Sequence, residues 1–174
     1  MNVLIAFGTS EGQTRKIAEA VAARVRELGR DARLFDTASS PKALHMDSYD
    51  KIVVAGSVHH RRHQESVEVF IMANFSELQK KPTLFLSVSL SAAFAEGMKE
   101  AWSYVRAFLA STGWKPTRSV VVAGALRYAE YDYFKQQIIE HIVLKGRASD
   151  APVGDYEFTD WKALFRVIDA FVQS

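Results

Sequence analysis

A turn rich in hydroxyl groups and glycine follows the first apolar run of the chain. Residues 8–14 have the sequence GTSEGQT and lie between the apolar residues 3–7 and a stretch with helical spacing. Small residues let the backbone curl so that several N–H groups point inward, and hydroxyls donate to anionic oxygens. The helix that follows presents free N–H groups and the positive end of its dipole. These features predict a phosphate-binding loop.

Two common phosphate motifs are absent from this turn. Without Gly-x-x-x-x-Gly-Lys-Ser/Thr there is no support for a nucleoside triphosphatase, and without Gly-x-Gly-x-x-Gly there is none for a dinucleotide fold. A hydroxyl-rich loop without lysine suits a permanently bound phosphate monoester better than a phosphoryl group in transfer. The alternative is a Ser/Thr/Gly turn that only caps a helix.

A second cluster of reactive side chains, HHRRH, occupies residues 59–63. A metal site is not favoured, because two arginines stand among the histidines and no carboxylate is close in sequence. Two interpretations stay open. The loop is either a solvated basic turn or a group of side chains that face an anionic ligand, since arginine binds carboxylates in a bidentate manner.

Length and composition set the class of protein that carries these residues. A chain of 174 residues, 48% apolar, predicts a single domain over residues 1–174. The absence of cysteine excludes disulfides, thiolate metal sites and thiol nucleophiles. A net charge of +2 lacks the basic excess of nucleic-acid-binding domains. With no signal peptide and no apolar stretch long enough for a bilayer, we expect a soluble, cytoplasmic protein.

Short apolar runs alternate with amphipathic stretches along the chain. The runs at residues 3–7, 52–56, 83–88 and 119–123 are unbroken, and a weaker one lies at 31–35. Unbroken runs are typical of strands covered on both faces. Helical spacing follows near residues 17–28, 67–75, 102–109 and 161–171, with Gly29 and Gly113 as stops and Thr159 or Asp160 as the last N-cap. The alternation predicts an α/β fold, a parallel sheet with helices on both faces.

One segment breaks this alternation. Residues 126–160 contain an aromatic cluster at 128–134, an amphipathic stretch at 138–143 and a loop rich in Gly, Ser, Asp and Pro at 146–154. We interpret it as an insertion of about residues 126–158 at or inside the last strand. Its aromatic side chains either line a site or only pack the insertion onto the sheet.

Three blocks resemble a known family. Phe7-x-Thr9-x-x-Gly12-x-Thr14 resembles the flavodoxin signature. GQTR at residues 12–15, AGALRY at 123–128 and YEFTDW at 156–161 are similar to the bacterial menaquinone-dependent protoporphyrinogen oxidases, a protoporphyrinogen IX dehydrogenase family. These are flavodoxin-like proteins with a long insertion in the last strand. The resemblance covers nearly the whole chain and implies a doubly wound parallel five-stranded sheet of order 2-1-3-4-5.

The resemblance implies FMN as the cofactor. Its phosphate would lie on the first loop, and its ring between the loops that follow the third and fourth strands. The cofactor-binding residues implied in this way are Thr9, Ser10, Glu11, Gly12, Gln13, Thr14, Ser57, Val58, His59, His60, Ser87, Val88, Ser89, Leu90 and Ser91. No metal is implied.

The implied activity is oxidation of protoporphyrinogen IX to protoporphyrin IX with a quinone as electron acceptor, in heme biosynthesis. Arg61 and Arg62 would bind the propionates, although Arg61 departs from a family pattern that usually has a small residue there. Arg127 and Tyr128 would form another wall of the substrate site. The flavin carries the chemistry, so no nucleophile is needed. His59 or His63 would accept a proton, since imidazole titrates near neutrality.

Other functions remain open at this stage. A flavodoxin-type electron carrier is usually strongly acidic, unlike this chain, whereas an FMN-dependent quinone reductase fed by a nicotinamide would share fold and cofactor. An interaction domain with a degenerate site is least favoured, because the phosphate loop is intact.

The insertion bears on location. Residues 126–160 hold four Lys or Arg and seven Asp or Glu, so charge does not support membrane attachment there. The apolar stripe at 138–143 still offers a surface for peripheral contact with the inner face of the cell membrane or for a homodimer.

Overall fold

The computed structural model describes residues 1–39, 44–126 and 156–174 and contains a central parallel sheet. Its strands in chain order, with one short antiparallel addition, are β1 (Asn2–Gly8), β2 (Asp31–Asp36), β3 (Lys51–His59), β4 (Arg62–His63), β5 (Thr83–Ser89) and β6 (Arg118–Ala123). The spatial order is β2-β1-β3-β5-β6, and β4 pairs antiparallel with β3. The five predicted strands and their flavodoxin-like order are therefore confirmed.

Helices cover both faces of the sheet. They are α1 (Gln13–Glu27), α2 (Glu65–Ala73), α3 (Phe75–Lys80), α4 (Met98–Thr112) and α5 (Trp161–Gln173), with short 3-10 turns at Met46–Ser48 and Ser91–Ala93. The helices α1 and α5 pack on one face, and α2, α3 and α4 on the other. No helix in the described ranges is both long enough and apolar enough to cross a bilayer.

The predicted stripe at residues 67–75 belongs to two helices instead of one. Asn74 lies between α2 and α3, and its side-chain amide donates to the carbonyl of Phe70 at 2.8 Å. The Asn74 side chain thus donates a hydrogen bond to one of the last carbonyl groups of α2, and the next helix begins at Phe75.

The strand β1 shows why its apolar run is unbroken. Val3, Ile5 and Phe7 pack into the core beneath α1 and α5, whereas Leu4 and Ala6 pack into the core on the opposite face. Because side chains alternate across a strand, both faces must be apolar when both are covered. Burial of each large apolar side chain stabilises the fold by about 1.5–3 kcal/mol.

The helix ends follow local chemistry. Gly29 and Gly113 adopt left-handed conformations with φ of 71° and 68°, as their predicted stop roles require. Of the two N-cap candidates for α5, Asp160 accepts a hydrogen bond from the N–H of Ala163 at 2.9 Å. Thr159 instead donates to the carbonyl of Ala123 at 2.7 Å, so the neighbouring residues divide two tasks.

A two-stranded antiparallel ladder brackets the segment that breaks the alternation. The strand β7 (Ala125–Leu126) follows β6 and pairs with β8 (Tyr156–Glu157), which leads into α5. Residues 127–155, which include most of the predicted insertion, lie outside the described residues. The chain thus leaves and rejoins the sheet at adjacent points, as an insertion requires, and its proposed bounds stay a prediction.

The connection between β3 and β4 is a strained two-residue hairpin. His59 pairs with Arg62, so the loop consists of His60 and Arg61, which have φ of 47° and 64°. Two positive φ angles define a type I′ turn, which favours Asn-Gly. Each non-glycine residue there costs about 1–2 kcal/mol. Glycine would adopt the conformation of Arg61 without this strain.

The turn geometry makes a stability prediction. The double variant His60→Asn, Arg61→Gly should raise the free energy of unfolding by about 1–2 kcal/mol, because both residues tolerate positive φ. Urea unfolding measures it. Gly29→Ala is the control, since its added Cβ would meet no atom within 4 Å and only the positive φ is strained; it should lower stability. A double variant no more stable than the wild type would contradict the strain.

Candidate functional site

A cleft opens at the carboxyl ends of the central strands, where the loops after β1, β3, β5 and β6 meet. Together with the open space at its mouth it encloses about 420 Å³. The residues that line it are Thr9, Ser10, Glu11, Gln13, Thr14, Ser57, Val58, His59, Val88, Ser89, Leu90, Gly124 and Ala125. Ligands of doubly wound sheets bind at this edge.

The loop after β1 closes on itself before α1 begins. The N–H of Gly12 donates to Oγ1 of Thr9 at 2.9 Å, and Gly12 has a φ of 90°, a conformation that glycine adopts without strain. The first N–H groups of a helix have no intrahelical carbonyl, and the first turn of α1 carries no acidic residue. The positive end of α1 is therefore open to an anion in the cleft.

Thr14 provides the clearest test of whether a phosphate fits. The residue is 1% exposed and lines the cleft, and its Oγ1 has no hydrogen-bond partner in the described part of the chain. An unpaired buried hydroxyl costs about 1–3 kcal/mol. An anionic oxygen bound at the helix N-terminus would supply the missing acceptor, so the residues present fit a phosphate group.

A side chain that sequence reasoning missed joins the first loop to β3. The amide Nε2 of Gln64 donates to Oγ of Ser10 and, at 3.2 Å, to Oγ of Ser57. The two serine oxygens lie 3.4 Å apart. Gln64 stands five residues beyond the end of β3 in a segment without a motif, so no sequence signal identified it.

The return segment after β8 is held against α1 by polar contacts. Nε2 of Gln13 donates to Oγ1 of Thr159 at 3.0 Å, and Lys16 forms an ion pair with Glu157. Nε1 of Trp161 donates to Glu157 at 2.8 Å. The YEFTDW block thus has a structural role, and the side-chain amide of Gln13 is engaged with Thr159.

Gly124 and Ala125 belong to the cleft but were not predicted as cofactor contacts. The N–H of Gly124 donates to the carbonyl of Ser89 at 3.0 Å, which continues the pairing of β5 with β6. The available signal was the run of small residues directly after the last strand, at the same edge as the phosphate loop. In the sequence analysis this run served only as part of the AGALRY block that resembles the family.

Four predicted cofactor residues do not line the cleft. Gly12 shapes the loop, and His60 lies in the strained turn. Ser87 is fully buried in β5 with its Oγ 2.8 Å from Nε2 of His63, and Ser91 donates to Glu100 at 3.1 Å. Their contact with a cofactor stays a prediction.

The β3–β4 hairpin divides the basic loop between two hollows. His59 lines the cleft, whereas Arg61 and Arg62 line a neighbouring hollow whose other residues are His63, Glu68, Tyr104, Ala107, Phe108 and Ser111. The guanidinium of Arg61 lies 3.5 Å from the carboxylate of Glu100. Both arginines thus stand beside the cleft and not in it. Arg127 and Tyr128 lie outside the described residues.

His63 differs from the titrating imidazole that the sequence suggested. Its ring packs against Phe108 and Phe85, with centroids 4.6 and 5.3 Å away. Burial lowers the pKa of His63 to about 4. Burial thus moves the titration of His63 away from neutrality, and its role as a proton acceptor stays a prediction. Of the two proposed proton acceptors, His59 is the one that lines the cleft.

Comparison with known proteins identifies the family. A family model described as a flavodoxin domain matches residues 4–151. The chain is 31% identical over 163 residues to the protoporphyrinogen IX dehydrogenase (quinone) of Escherichia coli (strain K12), covering 93% of this chain and 90% of the relative. The chain belongs to the flavodoxin-like protoporphyrinogen IX dehydrogenase family. The resemblance seen in the sequence is confirmed.

A second relative and a solved structure are also similar to this chain. The protoporphyrinogen IX dehydrogenase (quinone) of Leishmania major is 25% identical over 172 residues, covering 97% of this chain and 73% of the relative. Among solved structures, the flavodoxin of Streptococcus pneumonia TIGR4 has a TM-score of 0.53 and 15% identity, with coverage of 99% and 96%. At that identity the structural likeness supports the fold alone.

The burial of His63 predicts a pH-dependent stability. In the unfolded chain a histidine takes up a proton near pH 6.5, whereas folded His63 does so near pH 4. Between these values the unfolded state binds more protons, so acid destabilises the fold. We expect His63 to account for about 2 kcal/mol lost between pH 7 and pH 5, measured by urea unfolding.

The variant His63→Gln keeps a polar partner for Ser87 but has no imidazole to titrate. Between pH 7 and pH 5 its free energy of unfolding should therefore fall by about 2 kcal/mol less than that of the wild type. The exposed His45 provides the matched control, because His45→Gln should retain the wild-type loss. An identical loss in all three proteins would contradict the assignment.

Proposed function

We propose that this protein is an FMN-dependent oxidoreductase that converts protoporphyrinogen IX to protoporphyrin IX and passes the electrons to a quinone. The observation that carries the proposal is the buried hydroxyl of Thr14, which has no partner in the described chain and lies in the cleft at the N-terminus of α1. The similarity over 93% of the chain to a protoporphyrinogen IX dehydrogenase (quinone) supports the reaction.

The first loop would hold the FMN phosphate with neutral donors. Oγ1 of Thr9 already accepts from Gly12, which leaves the Thr9 hydroxyl hydrogen free for an anionic oxygen. The hydroxyls of Ser10 and Thr14 and the backbone N–H groups of Glu11 and Gln13 complete the donor set. No lysine is needed, because the end of the helix supplies the positive potential.

The sequence placed the flavin-ring contacts in loops, but Ser57, Val58 and His59 are the last residues of β3, and Val88 and Ser89 are the last of β5. The flavin ring would therefore lie between these two strand ends. Backbone groups of Ser57 and Ser89 would bind its polar edge, while the side chains of Val58, Val88 and Leu90 exclude water from its faces. When bound, FMN supplies the group that accepts a hydride equivalent from the substrate. His59 lines the same cleft and is placed to take up a proton there.

The basic hollow beside the cleft suits a substrate that carries carboxylates. Protoporphyrinogen has two propionates, and Arg61 and Arg62 would bind them. The pair between Arg61 and Glu100 is exposed at 3.5 Å, and such pairs contribute about 0–1 kcal/mol. A propionate can therefore displace Glu100 at little cost. Arg127 and Tyr128 would complete the substrate wall from the insertion.

The insertion would also set location and assembly. We propose residues 126–158 as an insertion into one flavodoxin-like domain, in a cytoplasmic protein that meets its quinone at the inner face of the cell membrane. The apolar stripe at residues 138–143, outside the described part, supports either that contact or a homodimer. An electron carrier is the second candidate, but the net charge of +2 does not suit one.

The unpartnered hydroxyl makes a two-sided prediction. Thr14→Val should weaken FMN binding by about tenfold or more through loss of a charge-assisted hydrogen bond. The free energy of unfolding of the FMN-free protein should not fall, since Oγ1 has no partner to lose. A flavin titration and urea unfolding measure the two effects.

Thr112→Val is the matched control for that substitution. The Thr112 hydroxyl is buried, donates to the carbonyl of Phe108 at 2.9 Å and accepts from Trp114 at 3.3 Å. This variant should lose stability and keep its FMN affinity. If Thr14→Val bound FMN as tightly as the wild type, the phosphate assignment would be wrong.

Anaerobic mixing tests the reaction itself. When the FMN-loaded protein meets protoporphyrinogen IX, the absorbance of oxidised flavin should fall, and a menaquinone analogue should restore it. The double variant Arg61→Gln, Arg62→Gln should raise KM for protoporphyrinogen by about tenfold, as expected from lost charge-assisted pairs.

Arg118→Gln is the control. This exposed arginine is the first residue of β6, and it therefore lies at the amino ends of the strands, away from the cleft. Flavin that stays oxidised with protoporphyrinogen, but is reduced by dithionite, would favour the electron carrier.

A further inference from the structure

We propose that Gln64 is a positioning residue that aims the hydroxyls of Ser10 and Ser57 at the phosphate of FMN. The proposal rests on the proposed FMN site and adds a residue from outside the phosphate loop. It follows from the place of Gln64 in the chain, its hydrogen bonds and the chemistry of an amide.

The backbone fixes Gln64 where its side chain can reach both loops. Gln64 is the N-cap residue of α2, its carbonyl accepts from the N–H of Val67 at 3.0 Å, and its own N–H donates to the carbonyl of Ser57 at 3.2 Å. An N-cap side chain normally bonds to its own helix. That of Gln64 makes no cap hydrogen bond and extends to Ser10 and Ser57 instead.

The direction of these bonds decides what the serines can do. The amide NH₂ has two hydrogens, so it donates to both hydroxyl oxygens at once. A hydroxyl whose oxygen accepts a hydrogen bond keeps its own hydrogen for another acceptor. Ser10 and Ser57 both line the cleft, and their oxygens are 3.4 Å apart. At that distance one hydroxyl can donate weakly to the other, so at least one O–H donor is left beside the N-terminus of α1, and an anionic oxygen in the cleft would compete for the second.

The charge of the residue matters as much as its length. A carboxylate at position 64 has no hydrogen to donate, so both serine hydroxyls would turn toward it and away from the cleft. It would also place a negative charge beside a dianionic phosphate. A thioether of similar length would remove the donor without adding charge. The two substitutions separate the geometric effect from the electrostatic one.

The test compares ligands with and without the phosphate. Equilibrium titrations of the FMN-free protein with FMN and with riboflavin are made for the wild type, Gln64→Met and Gln64→Glu. We expect FMN affinity to fall by about tenfold in Gln64→Met and by about a hundredfold in Gln64→Glu, as for loss of one and two charge-assisted interactions. Riboflavin affinity should stay unchanged in both.

The control is Gln79, which is exposed on α3. Gln79→Met and Gln79→Glu should match the wild type with both ligands, and urea unfolding shows that every variant folds. Equal losses for FMN and riboflavin would make Gln64 a merely structural residue and overturn the proposal. Unchanged FMN affinity would overturn it as well. A wild type that binds neither flavin would instead refute the proposed function, and with it this role.

Discussion

The site depends on the register of the parallel sheet. Gly8 of β1 lies opposite Gly56 of β3, and Ser89 of β5 lies opposite Ala123 of β6. The strands therefore end at nearly the same level, and their loops surround one cleft. This register is held by apolar side chains buried on both faces, because a slip of one residue would transfer each side chain to the wrong face. The geometry of the phosphate loop thus follows from packing far below it.

The fold was predictable because its signals are local or repeated. Unbroken apolar runs demand cover on both faces, and the spacing of Thr9, Gly12 and Thr14 marks the phosphate loop within a few residues. What escaped prediction depends on contacts between distant segments. Gln64 belongs to no recognisable motif, and its proposed role follows only from the hydrogen bond between its side-chain amide and Ser10. The division of HHRRH between two hollows depends on a type I′ turn. Because this turn lacks the usual glycine, the sequence pattern did not predict it.

The cleft presents hydrogen-bond donors suited to an anion, and the loop after β1 has no cationic side chain. Hydroxyls and the end of α1 provide the donors, while Arg61 and Arg62 lie in the adjacent hollow. This separation suits a protein with two anionic ligands, since the cofactor and the substrate do not compete for the same charges. His63 lines the hollow and not the cleft, and its burial lowers its pKa, which favours the neutral imidazole. The hairpin therefore separates the cleft from the hollow that contains the two arginines.

The ladder between β7 and β8 has a consequence for stability. Because the two strands pair, the chain enters and leaves residues 127–155 at points about 5 Å apart, the spacing of neighbouring strands. Contacts of Gln13 with Thr159 and of Lys16 with Glu157 fasten the return point to α1 independently of what lies between. A frame closed in this way tolerates exchange of the intervening module, since the entropy of loop closure grows only slowly with length. A change in the length of residues 127–155 should therefore cost the rest of the fold little stability.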